Sequence, residues 1–137
     1  MKLNTNKYET ALTVRPDDID MNNHVHSSKY MDYVLFARYD QMNRCYNMSM
    51  DEFIKNGLTW VIKSTFIEFK RSLIFGETCN IFTWLESMDG NSCKVCFEIK
   101  NGKGKESCTG YFIYTMINIE TGRAHTVPNW IIERYSI

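Results

Sequence analysis

Hydrophobic and polar positions change period twice along this chain, and the changes mark its elements. In "KYETALTVR" the pattern alternates, with Tyr8, Leu12 and Val14 on one side and Lys7, Glu9, Thr13 and Arg15 on the other. A period of two predicts a half-buried strand. Pro16 brings no amide to a ladder, so the strand ends there. From Ser28 to Asn47 the period becomes helical. Tyr30, Met31, Val34, Leu35, Ala37, Met42, Cys45 and Tyr46 share one half of the wheel, and Lys29, Asp32, Asp40, Asn43 and Asn47 the other. This predicts one long amphipathic helix, about 30 Å long at ~1.5 Å per residue, with Ser27 or Ser28 as its cap. Arg38 and Gln41 interrupt the apolar half and must either snorkel or meet a buried polar partner.

A second helix is predicted in "SMDEFIKNG", where Ser49 and Glu52 have capping-box spacing and Gly57 is a natural stop. Then the texture turns to β. "LTWVIKSTFIEFK", "TCNIFTWLES", "SCKVCFEIK" and "CTGYFIYTMINIE" are rich in β-branched and aromatic residues, and "MDGN", "NGKGK" and "ETGR" supply turns. The first and last of these four runs are apolar on both faces, as strands covered twice would be. Pro128 opens a short piece, "PNWIIERY", read as a helical turn or an extended tail. The layout predicts an α+β domain with its long helix on one face of a curved antiparallel sheet of about five strands. Since five strands cannot cover their other face alone, dimerisation is expected.

Composition narrows the picture. The 137 residues suit a single domain over residues 1–137, and 44% hydrophobic against 23% charged residues suits a folded chain rather than a disordered one. Sixteen basic and sixteen acidic residues cancel, so no overall field draws in a polyanion and nucleic acid is not an expected partner. No apolar run approaches a membrane span, and the N-terminus lacks the apolar core of a signal peptide. Five scattered cysteines suit free thiols in a reducing compartment, so the expected location is cytoplasmic. Cys93 and Cys96 form a CxxC, but in a strand that spacing points the thiols to opposite faces, and no further ligands lie nearby.

The densest chemistry lies between the first strand and the long helix, in "RPDDIDMNNHVHSSKY", Arg15 to Tyr30. Asp, Asn and Ser ahead of a helix are common turn and cap residues. A carboxylate beside a helix N-terminus is also a base or nucleophile set next to amide donors.

"VRPDDIDMNNHVHSSKYMDYVLFARYDQM" resembles the signature of hotdog-fold thioesterases of the 4-hydroxybenzoyl-CoA thioesterase type. "DMNNHVHSSKY" is similar to the Asp-x-Asn-x-His-Val-Asn-Asn-x-x-Tyr segment of acyl-acyl-carrier-protein thioesterases. Further along, "TFIEFKRSLIFGE" and "INIETGRAHTVP" resemble the family's "EYxRPxxxGD" strand and its closing strand with proline. The resemblance implies a hotdog fold, a long central helix wrapped by the sheet, with two subunits pairing as a homodimer or a dimer of dimers and sites at their interface. It implies acyl thioesters of coenzyme A or acyl carrier protein as substrates, within fatty acid metabolism. No metal or organic cofactor is implied, since coenzyme A or phosphopantetheine belongs to the substrate.

On that resemblance Asp20 is the expected general base or direct nucleophile, and the sequence does not choose between these. Asn22 and His24 occupy matching positions, the amide to position the acyl group or water, the imidazole to polarise a carbonyl or carry a proton. Backbone N–H groups near Val25 are the expected oxyanion donors. Tyr30 matches too, as a substrate contact or a structural residue. Glu68 is a second-rank candidate acid, Lys70 and Arg71 are candidates for coenzyme A phosphates, and Trp60, Phe66, Phe82, Trp84 and Met116 for an acyl tunnel. Asp18 is read as stabilising the loop, and His26 as a cap or a solvent-facing residue.

The chain also departs from the family pattern. Pro16 replaces the usual aromatic, His26, Ser27 and Ser28 replace Asn-Asn and a variable residue, and Ser72 and Leu73 stand where plant-type enzymes carry Glu-Cys. The expected activity is hydrolysis of an acyl thioester. The alternatives are a hotdog hydratase or dehydratase, whose His-Phe-Pro or Asp-x-x-x-x-His contexts are absent from the sequence, and a non-catalytic acyl-CoA-binding module.

Overall fold

The computed structural model describes residues 2–137. Strand β1 (Tyr8–Thr13) leads through a single 3-10 turn (Pro16–Asp18) and an irregular loop into helix α1 (Lys29–Cys45). A short helix α2 (Met50–Lys55) follows, then strands β2 (Leu58–Phe69), β3 (Thr78–Asp89), β4 (Ser92–Lys100) and β5 (Glu106–Asn118), and a final helix α3 (Asn129–Arg134). The strands form one antiparallel sheet in the order β1-β3-β4-β5-β2. The expected elements are therefore present, and the "PNWIIERY" segment holds a helix.

Alternation builds the inner face. Cys79, Ile81, Thr83 and Leu85 of β3 and Cys93, Val95, Phe97 and Ile99 of β4 are all buried, while the residues between them are only partly so. Cys93 and Cys96 accordingly sit on opposite faces. Onto this face α1 lays Tyr30, Tyr33, Val34, Ala37, Arg38, Gln41 and Met42, one stripe at helical spacing. The N-terminal half of that stripe packs with Leu73, Ile81, Phe97 and Phe112, and its C-terminal half with Leu85, Val95, Met116 and Ile131. Each large apolar side chain so buried contributes about 1.5–3 kcal/mol.

Two expectations need correction. Ser28 stands at the N-cap of α1 but makes no side-chain cap. His26 caps instead, its Nδ1 accepting the Ser28 amide at 3.2 Å and its carbonyl the Lys29 amide at 2.9 Å. The "LTWVIKSTFIEFK" run, apolar on both faces, is not covered twice, because β2 is an edge strand and much of it is exposed. Periodicity records which residues are apolar, not where their strand sits in the sheet. β5, the other two-faced run, is interior, between β4 and β2.

The outer face of the sheet is partly dressed by lysines, while Phe66, stacked on Tyr111, stays exposed on it. The ammonium groups of Lys7, Lys94 and Lys100 lie over the rings of Trp84, Tyr111 and Phe82 at 4.4, 4.4 and 5.3 Å from their centres. Such long side chains shield apolar rings while keeping their charge in water.

The pairing of β2 with β5 depends on Gly110, which lies opposite Ile67 and Phe97. A Cβ there would overlap the Phe66 carbonyl oxygen and come within 2.7 Å of Phe97 Cζ. The variant Gly110→Ala is expected to lose about 2–3 kcal/mol of stability or more, read from its urea-unfolding midpoint. An unchanged midpoint would mean that β2 can move away at no cost.

Candidate functional site

Between β1 and α1 the backbone folds into a five-residue turn. Ile19 and Val25 bridge at its neck, and the Asp20 amide donates to the His24 carbonyl at 2.8 Å. Asn23 takes the left-handed conformation (φ 62°), which Asn tolerates better than most residues, and its amide closes onto the Asp20 carbonyl at 3.2 Å. Inside the turn, Asp20 Oδ1 accepts the amides of Asn22 at 2.9 Å and His24 at 3.2 Å. These two bonds, first Asn22 and then His24, hold the Asp20 carboxyl below the usual carboxylate range. Among the described residues Asp20 Oδ2 has no hydrogen-bond partner, and the side chains of Asn22 and His24 are exposed.

The structure thus brings Asp20, Asn22 and His24 into one turn as an ionised carboxylate clamped by two amides, with one oxygen and an imidazole left open. Supporting the turn, Asp18 is buried and accepts the Tyr33 hydroxyl at 2.7 Å, while its carbonyl takes the His26 amide at 2.9 Å. Asp18 is therefore the loop-stabilising residue expected of it.

The Val25 amide is not a free oxyanion donor. It donates to the Leu73 carbonyl at 2.9 Å, because residues 24–25 lie as a strand against the β2–β3 connection, where His24 also bridges Ile74. Tyr30 is not a substrate contact either. It is 3% exposed, its hydroxyl accepts the Leu73 amide at 2.9 Å, and its ring meets Phe69 edge to face.

Lys70 proves to be a paired cation. Its Nζ lies 2.8 Å from Glu106 and 3.7 Å from Glu68, so Glu68 is tied up there on β2 rather than joined to Asp20. The Lys70 ammonium is pushed up, chiefly by its hydrogen bond to Glu106. Arg71 spends one N–H on the Glu106 carbonyl at 3.2 Å and keeps the rest of its guanidinium exposed.

Beside the second half of α1 lies a cavity of about 350 Å³, mostly apolar, with Arg38, Tyr39, Met42, Phe53, Trp60 and Tyr114 in its wall. Its size falls at the small end of the roughly 300–1,000 Å³ typical of small-molecule sites. Of the aromatics and methionine expected to line a tunnel, Trp60 alone does so. Phe82 and Trp84 lie on the outer face under lysines, Phe66 is exposed at the β2 edge, and Met116 is fully buried core. Apolar spacing does not separate a cavity wall from core, so the sequence does not mark Tyr39, Met42 and Tyr114 as lining residues. Arg38, breaking the apolar stripe, was the one visible signal.

Among the described residues no group of three or more His, Cys, Asp or Glu could hold a metal ion, and no helix is long and apolar enough to cross a membrane.

A titration of Asp20 followed by its side-chain carbon NMR signal is expected to place its midpoint below the ordinary aspartate value of 3.8. A midpoint above that value would show that the two amide bonds do not hold in solution.

The fold has close counterparts among solved structures. A DHNA-CoA thioesterase from Staphylococcus aureus matches with a TM-score of 0.87 at 22% identity, over 94% of this chain and 88% of that one. An acyl-ACP thioesterase from Bacteroides thetaiotaomicron matches at 0.80 and 16%, over 90% of this chain and 50% of that one. A 12:0-ACP thioesterase from Umbellularia californica matches at 0.82 and 16%, over 93% and 49%. At these identities the likeness shows the fold, the hotdog arrangement of a long helix in a curved sheet. No curated protein sequence matches the chain. The family pattern of the thioesterase-like superfamily, however, matches residues 14–135, nearly the whole length, and the chain belongs to that superfamily.

Proposed function

We propose that this protein hydrolyses an acyl thioester of coenzyme A or acyl carrier protein to the free acid and thiol, with Asp20 as general base on water or as nucleophile. The observation that carries this reading is the Asp20 carboxylate, ionised, anchored through one oxygen by the Asn22 and His24 amides and open at the other, in a chain of the thioesterase-like superfamily. An anchored base of this kind approaches its target in a fixed geometry, and Oδ2 is the atom that takes the proton or attacks the carbonyl. With the Val25 amide engaged, the developing oxyanion draws on the open His24 imidazole and the Asn22 side-chain amide. Arg71 is the cation available to a coenzyme A phosphate, since Lys70 would first have to leave Glu106. The structural relatives include a DHNA-CoA thioesterase and an acyl-ACP thioesterase, so both carriers belong in the assay. All five cysteines are free thiols, which suits a reducing cytoplasm.

The variant Asp20→Asn keeps an oxygen acceptor for the same two amides and removes the base. With a matched panel of acyl-CoA and acyl-ACP thioesters, kcat/KM is expected to fall at least ~100-fold with little change in melting temperature. Full activity in the folded variant would remove Asp20 from the mechanism.

The reading includes a homodimer. Edge strand β2 carries Val61, Phe66 and Phe69 at 38, 49 and 52% exposure, and Phe36 and Tyr39 stand exposed on α1. A long, apolar, unpaired edge is the kind of surface that natural proteins cover. Sedimentation equilibrium at micromolar concentration is expected to give twice the chain mass or a multiple of it, and Phe66→Lys to shift the protein toward monomer. A wild-type monomer would refute the assembly.

A further inference from the structure

The apolar cavity beside α1 has a charge in its wall that the fold does not neutralise. Arg38 is 7% exposed, and among the described residues no carboxylate lies within ion-pair distance of it. One of its five N–H donors is spent, Nη1 donating to Thr83 Oγ1 at 3.1 Å. The Thr83 hydroxyl donates to Gln41 Oε1, and Gln41 Nε2 donates to Thr10 Oγ1 at 3.0 Å. Thr10 in turn donates to Asp40 at 2.6 Å. The chain of hydrogen bonds from Arg38 thus reaches a carboxylate only at its far end, and that carboxylate is already matched by Arg44 at 2.7 Å. The Tyr46 ring lies 5.5 Å from the guanidinium carbon and offers a partial, uncharged counterpart.

A buried cation without an anion is costly unless something arrives to pair with it. The guanidinium is also a planar fork whose free N–H groups match the two oxygens of a carboxylate. Arg38 is a wall residue of a cavity otherwise built from Met42, Phe53, Trp60 and similar side chains, with exposed Tyr39, Met50 and Val61 also contributing. Such a cavity accepts an apolar segment along most of its length and an anion at one point.

We infer that this cavity takes the acyl part of a thioester whose far end carries a carboxylate, an ω-carboxyacyl group, and that Arg38 pairs with that carboxylate. The inference rests on the thioesterase reading for its chemistry, but the pocket can be tested without it. Arg38 is a specificity residue in this account, and the bond broken remains the thioester.

The test compares mono-CoA thioesters of adipic, suberic and sebacic acids with hexanoyl-, octanoyl- and decanoyl-CoA on the wild-type protein, Arg38→Met and Arg38→Lys. At one chain length or more, wild type is expected to favour the carboxylate-ended substrate at least ~10-fold in kcat/KM, the size of a charge-assisted hydrogen bond. Arg38→Met is expected to invert that preference, and Arg38→Lys, which keeps the charge but not the fork, to leave it intermediate. Preference of the wild type for the methyl-ended substrate at every length overturns the inference, whether or not the variants fold. So does an unchanged ratio in a folded Arg38→Met. If no thioester is hydrolysed, the thioesterase reading fails by itself, and calorimetry with octanoate against 1-octanol decides the pocket. Tighter binding of octanoate that is lost in Arg38→Met supports the inference, and equal or weaker binding refutes it.

Discussion

The backbone of Leu73 is gripped on both sides, and the arrangement of the candidate site follows from that grip. Its amide donates to the Tyr30 hydroxyl and its carbonyl accepts the Val25 amide, both at 2.9 Å, while its side chain is fully buried. Three pieces meet there: the turn holding Asp20, the first turn of α1 just after it, and, from far along the chain, the connection from β2 to β3. Buried backbone groups must be paired, and here the partners come from the loop and the helix rather than from a sheet ladder. The polar turn is therefore tied to the core at its neck, and its tip stays in water. Asp18, buried under Tyr33, secures the other flank. A carboxylate on a surface loop would otherwise wander. This one is set by its own turn amides and, one layer below, by Leu73.

The same grip explains what the sequence could and could not convey. Alternation, helical period and turn chemistry are local, so the strands, α1, the Ser49 cap of α2 (accepting the Glu52 amide at 3.2 Å) and the Gly57 stop were legible. The spacing of Asp20, Asn22 and His24 was legible as well, because a turn of five residues is local. The Val25 amide could not be read, since its fate depends on Leu73, almost fifty positions away. The pairing of Lys70 was hidden for a similar reason, because Glu106 stands on the neighbouring strand. The helix cap falls to His26, one of the two roles read for it, rather than to Ser28, because preference tables favour serine while this loop geometry favours the imidazole.

The sheet edge was hidden for a different reason. Burial of both faces of a strand and coverage by another subunit leave the same apolar pattern, so the β2 run was read as interior. The outer face, expected to need a second subunit, carries lysine stems over Trp84, Tyr111 and Phe82 but leaves Phe66 exposed at the β2 edge. That edge is continuous with the wall of the cavity, since Trp60 and Ile62 of β2 line it with Leu35 and Tyr39 of α1.

Helix α1 divides its work along its length. Its first turn borders the polar loop, where charge is exposed and solvated, and its second half borders an apolar cavity, where charge is scarce. Arg38 stands roughly 14 Å along the axis from Lys29, at ~1.5 Å per residue, and is the exception to that division. In water its guanidinium would be unremarkable, but in the cavity wall each unused N–H weighs more, because the surroundings screen it less. A fold that needed only a filler at this position would use leucine or methionine, as the same stripe does at Met42. Retaining a cation there makes sense when the cavity's occupant carries the opposite charge, and the stripe that seats α1 on the sheet then also selects what lies beside it.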